Sequence, residues 1–203
     1  MLRKRPPRAK AARGFGGGAP ADAGADAATD AAADASPGTG ADPLDKVLAM
    51  ATAWLARRDH CGAELAARLE RRGFRAALIE QALAALRERG YLDDERYARE
   101  FVRVHVARGQ GPLRIRYELV GLGLPAVLAE STLQQHAEEQ GGWAALARRV
   151  RRRRFGEEWP AERLERARQA RFLQSRGFSP DHIRTALGQY APDELNAEPP
   201  DEA

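Results

Sequence analysis

The sequence predicts an all-α protein. Three tandem three-helix units are expected to stack into an elongated, curved helical array behind a disordered N-terminal tail. Three observations carry this. Apolar residues recur at helical spacing from residue 43 onward, prolines fall where helices can begin, and one glycine-centred pattern returns three times at a period of about 50 residues.

Taken in chain order, residues 1–42 are Ala, Gly, Pro and Asp with almost no large apolar side chain, too little to offset the entropy of ordering, so a disordered tail is expected there. The first unit is read over 43–90. Asp42 is placed to cap and Pro43 to open its first helix, where the missing N–H costs nothing. Leu44, Val47, Leu48, Ala51 and Leu55 give that helix (43–58) its apolar face, a second follows at 62–72, and Leu78, Ile79, Ala82, Leu83 and Leu86 mark a third at 75–89. The second unit (91–140) reads as helices 93–108, 112–122 and 125–140. The third (141–190) reads as 142–155, 160–176 and 180–190, the last capped by Ser179. Pro112, Pro125, Pro160 and Pro180 are each expected at a first helical position. Residues 191–203 form an acidic C-terminal tail.

The repeat fixes the register. With Gly73 laid over Gly123 and Gly177, Phe74 aligns with Leu124 and Phe178. Leu69, Leu119 and Leu173 fall four residues ahead of the glycines, and Leu83, Leu133 and Leu187 ten behind. Each glycine sits where a helix ends in a left-handed residue, and the apolar residue after it can pack back on that helix. A single unit of this size has a marginal core, so three in a row are expected to stack on one another.

Charge is unevenly spread. Residues 43–190 hold 27 Arg or Lys against 19 Asp or Glu, a balance of +8 that favours a polyanion or an acidic partner surface. Arg and Ala are abundant throughout, so arginine excess alone does not name the partner. No run approaches the ~20 apolar residues of a membrane span. The single Cys61 permits no internal disulfide, and no apolar stretch follows the basic Arg3-Lys4-Arg5 start as a secretory signal requires, so a cytoplasmic protein is expected.

The order of "ELAARLERRGF", "RGYLDDERYAREFV", "GPLRIRYELVGLGL" and "ARFLQSRGFSPDHIRTAL" resembles the RecX family of regulatory proteins across residues 44–190. The middle segment is the most specific, with Gly90-Tyr91-Leu92-Asp93-Asp94-Glu95-Arg96-Tyr97-Ala98, then Gly109 and Gly111, then Ile115, Glu118 and Leu119. Three positions depart from the pattern: Cys61 stands where relatives often carry a capping Ser, and Leu122 and Leu124 flank Gly123 where a basic residue and Ile are more usual. The resemblance implies a protein that binds the RecA filament on single-stranded DNA, in its helical groove, with capping of filament ends and promotion of disassembly open beside groove filling; a monomer without catalytic activity is expected. The resemblance also implies restraint of strand exchange, ATP hydrolysis and repressor cleavage, and so a place in recombination, repair and the SOS response. Direct binding of naked single- or double-stranded DNA remains open beside it, because three-helix units are similar to helix-turn-helix domains and residues 43–190 are basic, and so does a helical-repeat scaffold for another protein.

Candidate contact residues are two sets of arginines. Arg96, Arg99 and Arg103 form one stripe beside a core face of Tyr97, Phe101 and Val104, and Arg108, Arg114 and Arg116 follow around the Gly-rich turn. Arg148, Arg149, Arg151, Arg152, Arg153 and Arg154 are six arginines within seven positions. Nothing points to chemistry. His60, His105, His136 and His182 lack metal-ligand spacing. Asp93-Asp94-Glu95 suits a helix N-terminus. Gly16-Gly17-Gly18 lacks the Lys-Ser/Thr of a phosphate loop. Trp54, Trp143 and Trp159 are expected in the core. No catalytic residue, cofactor or metal is expected.

Overall fold

The computed structural model describes residues 43–188. The expectations for residues 1–42, including the Asp42 cap, and for the segment after Gly188 lie outside the described residues. Within them there are nine helices and no strand: α1 (Pro43–Leu55), α2 (Gly62–Arg71), α3 (Ala76–Glu88), α4 (Asp94–Ala107), α5 (Pro112–Gly121), α6 (Ala126–Glu139), α7 (Trp143–Phe155), α8 (Arg163–Ser175) and α9 (Pro180–Ala186).

Each helix packs chiefly within its own set of three, and each set encloses its own apolar cluster. Val47, Ala51, Trp54, Leu65, Leu69, Ile79 and Leu86 are buried in the first. Ala98, Val102, Ile115, Leu119, Leu124 and Leu133 fill the second. Leu146, Ala147, Leu173, Phe178 and Ile183 fill the third. Each large apolar side chain withdrawn from water stabilises by about 1.5–3 kcal/mol, so a cluster of this size alone is marginal and contacts between units matter.

The repeat glycines adopt one conformation. Gly73, Gly123 and Gly177 have φ of 84°, 87° and 86°. At each, the glycine N–H donates to the third carbonyl before it (Glu70, Val120 and Gln174), 2.9 Å in every case. The next N–H, of Phe74, Leu124 or Phe178, donates to Leu69, Leu119 or Leu173 at 3.2 Å. These are Schellman ends, which return two orphan carbonyls to hydrogen bonds and fold the chain sharply into the next helix.

The junctions between units repeat as well. Cys61 and Gly111 each lie twelve residues ahead of their own repeat glycine. The Cys61 thiol donates to the Leu122 carbonyl (3.5 Å), and the Gly111 N–H donates to the Arg176 carbonyl (2.7 Å), in both cases the residue just before the next unit's glycine. Cys61 is fully buried and belongs to the second unit's core. Val106 and Trp143 pack on both the second and third clusters. At the first junction the Gly62 N–H also donates to Asp94 (2.7 Å), and at the second Leu113 N–H donates to Gly177 O (3.0 Å).

Several sequence expectations are corrected. Pro43, Pro112 and Pro180 open helices, but Pro125 is the N-cap of α6 and Pro160 lies ahead of α8, which begins at Arg163. The delay follows from the loop's carbonyls: Glu157 and Glu158 accept from Arg151 and Ala161 from Arg166, so they point at side chains instead of up a helix. Along α4 the buried line is Ala98, Val102 and His105, one position from the expected one, with Tyr97 and Phe101 half-buried beside it. Trp54 is buried, Trp143 is half-buried, and Trp159 is 48% exposed, its ring packed against Gly188. Ser179 caps α9 in a reciprocal box with His182, whereas Cys61 makes no side-chain cap on α2.

Candidate interaction surface

Every candidate arginine on α4 and α5 stands opposite a carboxylate. The Asp93 side chain caps α4 by accepting from Arg96 N–H (2.8 Å), which sets Arg96, Arg99 and Arg103 on the exposed side of the helix. Arg96 then reaches Asp59 at 3.8 Å, Arg99 reaches Glu95 at 3.6 Å, and Arg103 holds Glu100 through two nitrogens. On α5, Arg114 pairs with Glu118 (2.8 Å) and Arg116 with Glu130 (3.1 Å). Exposed pairs of this kind contribute little stability, but each carboxylate offsets the charge its arginine shows to a partner.

The arginines of the third unit are placed differently. Arg151 is fully buried and does not belong to the surface. Its guanidinium donates to the carbonyls of Glu158 (2.7 Å) and Glu157 (3.0 Å) and lies 4.8 Å from the Trp159 ring centre, fastening the loop between α7 and α8. Arg148 is half-buried, and Arg152 pairs with Glu157 at 3.0 Å. Arg149, Arg153 and Arg154 are exposed, and none has a carboxylate partner among the described residues. Arg108 is exposed in the same way at the junction of units two and three.

Sequence reasoning missed two features. Leu113, Tyr117 and Val120 form an exposed apolar stripe on α5, with Tyr117 80% exposed, and Val127 lies open at the start of α6. Their i, i+4, i+7 spacing was the available signal, obscured because such spacing usually marks a core face. The second is a pair of half-buried rings, Phe155 and Phe172, ringed by arginines of α7 and α8.

No group of three or more His, Cys, Asp or Glu among the described residues is placed to hold a metal ion, and no described helix is long and apolar enough to cross a membrane. His105 stacks on Phe101 (3.8 Å between ring centres) and faces Glu118 at 3.0 Å, while His60 is buried against Glu64 at 3.0 Å. Burial lowers the pKa of His136 and of His182. These rings are tied into packing and helix ends. A shallow depression of about 10 Å³ lined by Val106, His136, Trp143, Leu146 and Arg149 is far below the usual size of a small-molecule site.

Comparison with known proteins decides the family. Residues 93–133 match the model described as RecX, second three-helix domain, and residues 144–187 match that of the third. The regulatory protein RecX of Halorhodospira halophila is 47% identical over 132 residues, covering 65% of this chain and 80% of that protein. The chain belongs to the RecX family of regulatory proteins. RecX of Vibrio vulnificus is 42% identical over 149 residues, 73% of this chain and 95% of its own. The crystal structure of RecX from Lactobacillus salivarius shares the fold, with a TM-score of 0.63 at 19% identity over 72% of this chain and 95% of that one. The Halorhodospira and Vibrio relatives are named as regulatory proteins, and the two matched domains fall within the helix sets α4–α6 and α7–α9 and their flanking residues.

Proposed function

We propose that this RecX-family chain binds the RecA filament on single-stranded DNA and inhibits its strand exchange, ATPase and coprotease activities, acting in the cytoplasm as a monomer without turnover of its own. The observation that carries the reading is the surface of units two and three. There a family regulator presents uncompensated arginines, Arg108, Arg149, Arg153 and Arg154, together with the apolar stripe Leu113, Tyr117 and Val120. Exposed apolar residues grouped on one helix favour a protein partner, and surplus guanidinium charge favours a partner that encloses a polyanion.

The test is a titration of this protein into the cognate recombinase on single-stranded DNA, following ATP hydrolysis and strand exchange. Inhibition at or below equimolar ratio is expected. No effect at equimolar ratio would overturn the assignment. A direct DNA binder, the other reading, predicts that equal amounts of an unrelated single-strand-binding protein reproduce the effect by covering the DNA.

A further inference from the structure

We propose that the α7–α8 face of the third unit is itself a binding site for single-stranded nucleic acid, built from Phe155 and Phe172 and the guanidiniums of Arg154, Arg168 and Arg176. This gives a place on the molecule to the direct-DNA reading that stands beside the regulatory one, and it requires no recombinase.

The two rings meet edge to face, 5.2 Å between centres at 88°, and both stay half-buried, so each keeps some surface in water. Arg154 and Arg168 stand over Phe155 at 5.8 and 5.7 Å, and Arg176 over Phe172 at 5.1 Å. Cation–π contact eases the crowding of like charges without neutralising them. One carboxylate enters the cluster, Glu165, 3.4 Å from Arg168 and also bonded to Gln169. Arg176 donates one bond to the Arg108 carbonyl at the unit junction, whereas Arg154 makes no described contact beyond the ring. On α4, by contrast, every candidate arginine has its own acid. The helices are held in place by Leu146, Leu173 and Phe178 beneath, so folding does not need the surface guanidiniums.

Aromatic faces beside planar cations are what an unpaired strand uses: bases stack on the rings and on guanidinium planes while phosphates take the charge. A duplex keeps its bases stacked inside, so this face should prefer single strands. An acidic peptide would use the charge and leave the rings idle, which is why nucleic acid is the better fit.

The experiment is fluorescence anisotropy of the full chain with a labelled 30-mer of oligo(dT) and with a duplex of the same length, without recombinase, across a salt series. Binding tighter to oligo(dT) than to duplex is expected. The Arg154→Gln/Arg168→Gln double variant should lose at least tenfold in affinity and reduce the log–log salt slope by about 1–2. Phe155→Leu, which keeps bulk but removes the π face, should lose several-fold without changing the slope. Arg71→Gln/Arg75→Gln, exposed on the first unit, should leave binding unchanged. Circular dichroism and melting temperature establish that each variant is folded. No binding at 50 mM salt, unchanged binding by the folded Arg variant, or equal competition by poly-glutamate would overturn the proposal, the last pointing to an acidic protein partner. The same variants in the recombinase ATPase assay separate the two readings: lost oligo(dT) binding with intact inhibition leaves the regulatory reading standing without this face.

Discussion

Gly123 lies so close to Ala63 that a Cβ at position 123 would sit 2.5 Å from the Ala63 Cβ, closer than two carbons can pack. The contact crosses from the turn of the second unit to the first turn of α2. Gly177 meets Arg114 in the same way across the next junction, whereas Gly73 has nothing within 4 Å of where a Cβ would go. One conformation thus serves two purposes: a left-handed helix end in all three units and a close approach in two of them.

Alanine substitutions should therefore separate. Gly73→Ala is expected to cost about 1 kcal/mol, the strain of positive φ alone. Gly123→Ala and Gly177→Ala add a steric clash between units and should cost about 2–4 kcal/mol. Urea unfolding of the three variants measures this. Equal losses at all three positions would show that the junctions yield freely.

Arg151 should be intolerant of replacement despite lying in a run of arginines. Arg151→Met removes hydrogen bonds to two carbonyls and the contact with Trp159, with an expected loss of about 2–4 kcal/mol. Arg151→Lys should rescue little, because one ammonium cannot reproduce the guanidinium fork. Arg153→Met, one turn face away and exposed, should stay within about 0.5 kcal/mol. Hydrogen exchange over residues 156–162 should quicken only in the Arg151 variants.

Much of this was legible because the repeat is written in backbone-determined residues. A left-handed end demands glycine, and the apolar residue beyond it demands a core, so Gly73, Gly123 and Gly177 announce the turns and Leu69, Leu119 and Leu173 the cores. The expected helices match the observed ones to within a few residues at each end. The start of α8 was illegible, since Arg151 reaches that loop from another helix and nothing local records it. So was the division of the arginines. Glu95 four residues before Arg99 was visible, but Glu130 opposite Arg116 and the buried place of Arg151 depend on tertiary packing. Trp159 was expected in a core because tryptophan usually is. Here its ring covers a guanidinium and Gly188 while one side stays wet.

Cys61 should behave as a silent thiol. It is fully buried at the first junction, and burial pushes its pKa up, with the Glu64 and Asp94 charges adding to the effect. Thiolate is the reactive form, so a disulfide reagent should modify the native protein far more slowly than a free cysteine, and at the free-thiol rate once urea is added. Fast modification of the native chain would mean that units one and two separate readily.

Stability should fall in acid through Glu64. Burial alone would raise its pKa, but hydrogen bonds from His60 and Arg58 outweigh this and hold it at about 2. A carboxylate depressed in the folded state stabilises fully above its unfolded pKa and loses that contribution as pH falls through the folded value. The contribution of this group, on the order of 2–3 kcal/mol, is thus present above about pH 5 and lost between about pH 4.5 and 2. Glu64→Gln should be less stable than the parent at pH 7 and flatter with pH in that window. Parallel pH–stability curves for the two proteins would remove Glu64 from the account.

The regulatory surface should be carried by the unpaired arginines more than by the paired ones. Arg149→Glu/Arg153→Glu reverses two charges that no acid offsets, so any filament contact through α7 meets repulsion instead of attraction. Inhibition of the recombinase should weaken at least tenfold, together with its sensitivity to salt. Arg99→Glu/Arg103→Glu changes residues already held by Glu95 and Glu100, so their present contribution to a partner is smaller and the loss in inhibition should be a few-fold. Both variants should keep a melting temperature within a few degrees of the parent, because exposed charge changes seldom cost much stability. Tyr117→Asp supplies the complementary test, placing a charge in the apolar stripe of α5 where the native side chain is almost wholly in water. A protein interface there predicts lost inhibition with the salt dependence unchanged. If the α7 variant inhibits like the parent while Tyr117→Asp does not, the contact is apolar and lies on unit two. If all three inhibit like the parent, the filament is gripped by neither surface, and the arginine-based reading fails while the family assignment stands.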